Sequence, residues 1–174
     1  RAGSAADLKP KLYVLSIGVS RYAEGAMNLS FAAKDACDMA RLMAAQQGGL
    51  YRQVEIRVVQ DEAATREGML DALEWIVRQT TARDVAMVFM AGHGVNDATG
   101  EYFFLPHDAN LDRLARSSLA QSDIRRSLMQ VPGKALFFVD TCHSGQIMAS
   151  RRALPPDIGR FVEVLKGFLG WTKF

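Results

Sequence analysis

Cysteine is scarce in this 174-residue sequence: only Cys37 and Cys142 occur. That excludes a disulfide framework and a multi-cysteine zinc site. Two thiols suit a reducing compartment, so a cytoplasmic setting is expected, and they leave room for one reactive thiol. Long hydrophobic runs are missing too. No apolar stretch nears the roughly 18 residues that a membrane helix needs, so no membrane partner is expected. Charge of one sign does not dominate either, since 21 Lys and Arg stand against 19 Asp and Glu, net +2. Residues 111–174 are basic, with 10 positive groups against 5 negative. Their arginines (Arg113, Arg116, Arg125, Arg126, Arg151, Arg152) are scattered and lack interleaved aromatics. A solvated surface fits that pattern better than a nucleic-acid site. Residues 1–10 hold no apolar stretch of signal-peptide type and read as a linker from a longer parent chain.

What is present is a core. Hydrophobic residues make up 49% of the chain, enough for one domain. Residues 11–19 (KLYVLSIGV) read as a strand. Ala32, Ala36, Met39 and Met43 then form one helical stripe within residues 31–47, stopped by Gly48-Gly49. Residues 54–59 give a second strand. Thr65 caps a helix whose stripe is Met69, Leu73 and Ile76. Residues 85–90 and 135–139 are strands apolar throughout. Between them, residues 91–100 read as a Gly-rich loop, 102–105 as a short extended piece, and 122–130 as a helix capped by Ser122. Strands apolar on both faces, separated by amphipathic helices, imply a mostly parallel sheet with helices on both sides. The fourth strand is too apolar for an exposed edge. The sheet is therefore expected to be incomplete in this chain and closed by further sequence or by a partner strand. Past Ser150, Arg151-Arg152 and Pro155-Pro156 mark an exposed loop, with a candidate helix at 158–169.

Two motifs follow directly after apolar strands: Ala91-Gly92-His93-Gly94 and Asp140-Thr141-Cys142-His143-Ser144-Gly145. Sites in open parallel sheets form at the carboxyl ends of strands. Neighbouring strands lie about 4.8 Å apart, so an imidazole and a thiol at one rim can meet. The glycines let a substrate backbone approach His93. A thiol becomes a nucleophile with such a base beside it. Taken singly, Cys142 could be a small buried hydrophobe and His93 a turn residue. Cys37, in mid-helix, reads as packing. His143 points away from its sequence neighbour in extended backbone, and His107 is a weaker candidate base. A small-ligand or nucleotide-binding reading is weak, because residues 17–28 after the first strand offer only Gly18 and Gly25 in place of a Gly-rich turn opening a helix.

The strand–GHG and strand–DTCHSG pair resembles the caspase-like cysteine peptidases, most closely the bacterial metacaspase-like (orthocaspase) branch. The separation of 49 positions from His93 to Cys142 matches the spacing of about 50 seen in caspases. The likeness runs from about residue 11 to 145. It implies an α/β three-layer sandwich, with residues 11–149 as the large-subunit catalytic domain and 150–174 leading toward a small-subunit portion. It also implies a cysteine endopeptidase acting on a polypeptide substrate. Cys142 would be the nucleophile, His93 the base, and the N–H groups of Gly94 and Cys142 the oxyanion donors. No third triad member is evident. Asp140 and Asp35 match the acidic pocket that binds a P1 Arg or Lys. Read alone, Asp35 could instead favour its helix N-terminus and Asp140 could cap local backbone. Ala91 stands where metacaspases often carry Ser. No cofactor or metal is expected, because Asp97, Glu101 and Asp108 are too few for the six to eight oxygens of calcium. Self-cleavage after Arg151 or Arg152 is a further expectation. The alternative is a caspase-like interaction or scaffold module without peptidase activity.

Overall fold

A computed structural model describes residues 9–143, with side chains through Thr141. The tail readings at 151–169 lie outside the described residues. Strand β1 (Lys11–Gly18) is followed by α1 (Ala32–Ala44), β2 (Gln53–Gln60), α2 (Arg66–Gln79) and β3 (Val85–Asn96). Then come β4 (Tyr102–Phe104), α3 (Leu114–Ser117), β5 (Leu119–Ala120), α4 (Gln121–Met129) and β6 (Lys134–His143). These strands form one six-stranded sheet, in which the path β2-β1-β3-β4-β5 is joined by β6 on β3. The β2–β1 and β1–β3 ladders are parallel, and β3–β4 and β4–β5 are antiparallel.

Strands β1 and β3 are buried almost throughout because helices cover both faces. On one face, Leu12, Val14, Met87, Phe89 and Ala91 pack with Ala32 and Ala36 of α1. Gly18 makes that approach possible: a Cβ there would lie 2.5 Å from the Ala32 carbonyl oxygen and 2.7 Å from the Ala36 Cβ. The start of α1 thus rests on the carboxyl end of β1. On the other face, α2 buries Met69, Ala72, Leu73 and Ile76. Its Trp75 meets Tyr13 of β1 edge-on at 6.4 Å. Thr65 caps α2 as expected, its hydroxyl oxygen accepting from Gly68 N–H at 3.1 Å.

Three expectations need correction. Residues 91–96 are not a loop, because β3 runs on to Asn96 and β4 pairs with the extension. Residues 140–143 likewise belong to β6. Ser122 does not cap α4: its hydroxyl goes to the Glu101 carboxylate at 2.7 Å, and Ala120 holds the cap position. On β6, Leu136 and Phe138 are 40% and 47% exposed, and among the described residues this strand pairs with β3.

Candidate active site

Both motifs sit at the carboxyl rim of the sheet, and the ladders of β3 set their alignment. Main-chain groups along a strand alternate between its two edges. Odd-numbered residues of β3 face β1 and then β4. The Ala91 carbonyl accepts from Val19 N–H, and the His93 carbonyl from Leu105 N–H, each at 3.0 Å. Even-numbered positions face β6, as the Asp84 carbonyl accepts from Lys134 N–H at 3.2 Å. β6 thus begins beside the start of β3 and pairs with it. A strand that starts at that end and stays paired along β3 runs the same way. In a parallel ladder the Lys134–Asp84 bond fixes an offset of 49 residues, the separation of His93 and Cys142. Continued without a bulge, that offset brings the main chain of residue 142 level with residue 93, where the main-chain groups of Gly94 face the β6 edge.

The glycines flanking His93 are explained by aromatic neighbours rather than by a turn. A Cβ on Gly92 would come within 2.9 Å of the Phe104 ring. On Gly94 it would lie 2.3 Å from the Tyr102 hydroxyl and 2.4 Å from its ring. The Tyr102 hydroxyl is buried without a close hydrogen-bond partner among the described residues. Burial pushes its phenol far above the ordinary value, and the Thr141 side chain offsets part of that rise.

His93 is itself buried, at 7% exposure. Its main-chain N–H donates to the Tyr22 hydroxyl at 2.9 Å, and the two rings lie 5.2 Å apart. Its Nε2 lies 2.9 Å from the Met27 carbonyl oxygen. A carbonyl only accepts, so this contact assigns the proton to Nε2 and makes Nδ1 the basic nitrogen. Met27 and Tyr22 are the site residues that sequence reasoning missed. Met27 acts through its main chain, which leaves no motif.

Asp35 is half-buried in the first turn of α1, and Asp140 is exposed on β6. Neither carboxylate is held by a hydrogen bond or ion pair to another described residue, so no backbone capping by Asp140 is seen there. By the same offset, Asp140 lies level with Ala91, which is paired to Gly18 beneath the start of α1. The two acids therefore share one end and one face of the sheet. The Cys142 and His143 side chains lie outside the described residues. His107 is committed elsewhere, its Nδ1 2.7 Å from the Arg21 carbonyl oxygen. Cys37 receives a hydrogen bond from Gln60 at 3.2 Å. Asp97 organises the β3–β4 turn, its Oδ1 accepting from Thr99 and from Glu101 N–H. Among the described residues no three His, Cys, Asp or Glu side chains gather as metal ligands. No described helix is long and apolar enough to cross a membrane.

A family model described as the caspase domain matches residues 11–160. The chain therefore belongs to the caspase-domain family, a class of cysteine peptidases. Its fold is also that of the crystal structure of protein GSU0716 from Geobacter sulfurreducens, at a TM-score of 0.62 and 23% identity. That match covers 92% of this chain and 64% of the other, so this chain spans less than two thirds of that protein. No curated protein matches.

Proposed function

We propose that this domain is a cysteine endopeptidase of the metacaspase-like branch, cleaving after Arg or Lys. The observation that carries the reading is the Lys134–Asp84 rung, whose offset aligns position 142 with position 93. His93 Nδ1 takes the Cys142 proton, and the thiolate attacks the scissile carbonyl carbon. For the Gly94 and Cys142 N–H groups to receive the oxyanion, the last rungs of the β3–β6 ladder must release them; in other enzymes loss of such a donor costs about 10²–10³ in rate. The imidazolium then protonates the leaving amine as the C–N bond breaks. Water, deprotonated by His93, hydrolyses the thioester and returns the thiol. Throughout, the Met27 carbonyl keeps Nε2–H in place. Asp35 and Asp140 supply paired acceptors for a P1 guanidinium or ammonium. Residues 11–149 form the large-subunit portion, and the exposed Leu136 and Phe138 of β6 support a further strand-bearing portion beyond 150.

The test is to incubate the full-length protein with fluorogenic Arg, Lys and Asp peptides, with Cys142→Ala as control. Release from Arg and Lys peptides by the wild type alone is expected. Equal signal from both proteins overturns the peptidase reading, and release from the Asp peptide alone overturns the acidic pocket.

A further inference from the structure

His93 is bracketed by the loop of residues 19–31, which has little regular structure of its own beyond a single 3-10 turn at Gly25–Met27. Tyr22 and Met27 both belong to it. Something must hold this loop so that a hydroxyl and a carbonyl stay within hydrogen-bond reach of one imidazole-bearing residue.

The holding groups come from the turn after β2. Asp61 Oδ1 accepts from Ser20 N–H and Arg21 N–H, both at 2.9 Å. Its Oδ2 accepts from Arg21 Nε at 3.1 Å. The carboxylate is largely buried, whereas the Arg21 side chain is mostly exposed. The two main-chain bonds therefore carry more than the ion pair, which solvent screens. Asp61 also adopts φ +47°, the one left-handed non-glycine residue among those described. L-residues avoid that region, although Asp tolerates it better than most. A second strap starts from the same turn. His107 N–H donates to the Ala64 carbonyl at 2.9 Å, and the His107 carbonyl accepts from Ala23 N–H at 2.8 Å. Its Nδ1 reaches the Arg21 carbonyl. Inside the loop, Asn28 Oδ1 accepts from Tyr22 N–H at 2.8 Å, carrying the restraint from the Asp61 end to the Met27 end.

We infer that Asp61 is a positioning residue for His93, acting through residues 20–28 to hold the Tyr22 hydroxyl and the Met27 carbonyl against it. The inference rests on the reading of His93 as the base. A locally strained residue persists where its surroundings over-determine it, and three accepted hydrogen bonds do so here.

Imidazole ¹H–¹⁵N spectra and steady-state kinetics of the full-length protein test this. In the wild type the His93 ring is expected as a single Nε2–H tautomer. Asp61→Gly relieves the backbone but removes all three acceptor contacts. A mixture of His93 tautomers is expected there, with kcat on an Arg peptide about tenfold lower and KM within twofold. Asp61→Asn tolerates the same backbone but keeps only one acceptor oxygen, so it is expected to fall between the wild type and Asp61→Gly, with measurable tautomer mixing and a smaller loss of kcat. Arg21→Gln is expected to match the wild type. A folded Asp61→Gly protein with the wild-type tautomer and kcat overturns the inference. If Asp61→Gly does not fold, the Asn variant decides: any tautomer mixing supports the inference, and a wild-type ring spectrum overturns it. The ring spectrum reads the inference even if no peptide is cleaved, so its failure is distinct from failure of the peptidase reading.

Discussion

The Nε2 atom of His93 lies 2.9 Å from the carbonyl oxygen of Met27, a residue 66 positions earlier in the chain. A main-chain acceptor cannot be titrated away, so it holds one tautomer across the working pH range. With the proton on Nε2, Nδ1 is the basic nitrogen in the proposed reaction. His93→Ala is expected to lower kcat/KM on an Arg peptide by about 10²–10⁴, the usual worth of a positioned general base. Peptide kinetics alongside thermal unfolding separate this loss from simple destabilisation.

Gly94 bears the Tyr102 ring directly on its Cα. Gly94→Ala forces a methyl into that ring and is expected to cost about 1–3 kcal/mol. It should also abolish most peptidase activity by shifting the proposed oxyanion donor. Gly94→Ala combined with Tyr102→Ala should recover part of the clash cost in denaturant unfolding. By contrast, Tyr102→Phe removes a buried hydroxyl that has no close partner. It should be neutral or stabilising by up to about 1 kcal/mol.

Much of this arrangement could be read from residue order. Strands β1 and β3 announced themselves by being apolar on both faces, and the α2 stripe of Met69, Leu73 and Ile76 is buried, whereas of the α1 stripe Ala32 and Ala36 are buried and Met39 and Met43 only partly so. His93 and Cys142 stood out because each follows an apolar strand. The misreadings share one physical origin. Gly92 and Gly94 resemble loop residues, yet they lie in a strand because Phe104 and Tyr102 fill the space their side chains would occupy. That reason lies in residues 12 and 8 positions away. Ser122 looked like a cap until Glu101 offered its hydroxyl a better acceptor. Met27 was invisible, since a carbonyl oxygen is common to every residue.

Asp84 pins three elements at the amino end of the sheet. Its carboxylate accepts from Lys11 N–H at 3.1 Å, Thr81 N–H at 3.0 Å and the Thr81 hydroxyl at 2.5 Å. Burial raises its pKa, but these hydrogen bonds and the nearby Arg52 outweigh that and lower it overall. The folded-state value thus lies below the roughly 3.9 of an unfolded Asp. As pH falls, the unfolded chain takes up the proton first. Stability present above about pH 4 is therefore lost as pH drops through the folded value. Asp84→Asn is expected to cost about 1–3 kcal/mol at pH 7 and to flatten the acid limb of stability against pH. Urea unfolding between pH 3 and 7 checks both.

For the acidic pair, Asp35→Asn and Asp140→Asn should each lower kcat/KM for an Arg peptide by roughly 10–100-fold, the worth of one charged hydrogen bond. The double variant should leave a slow, unselective enzyme. Retained preference for Arg in the double variant would assign specificity to other residues.

The imidazole of His93 is built into the fabric of the sheet. Its strand is bonded along both edges, and its ring is gripped from a third side by the loop of residues 19–31. Such a group does not swing into action. If the proposed peptidase has a latent form, the change that wakes it must occur in the thiol or in the walls that receive the peptide, while the proposed base is already held in position.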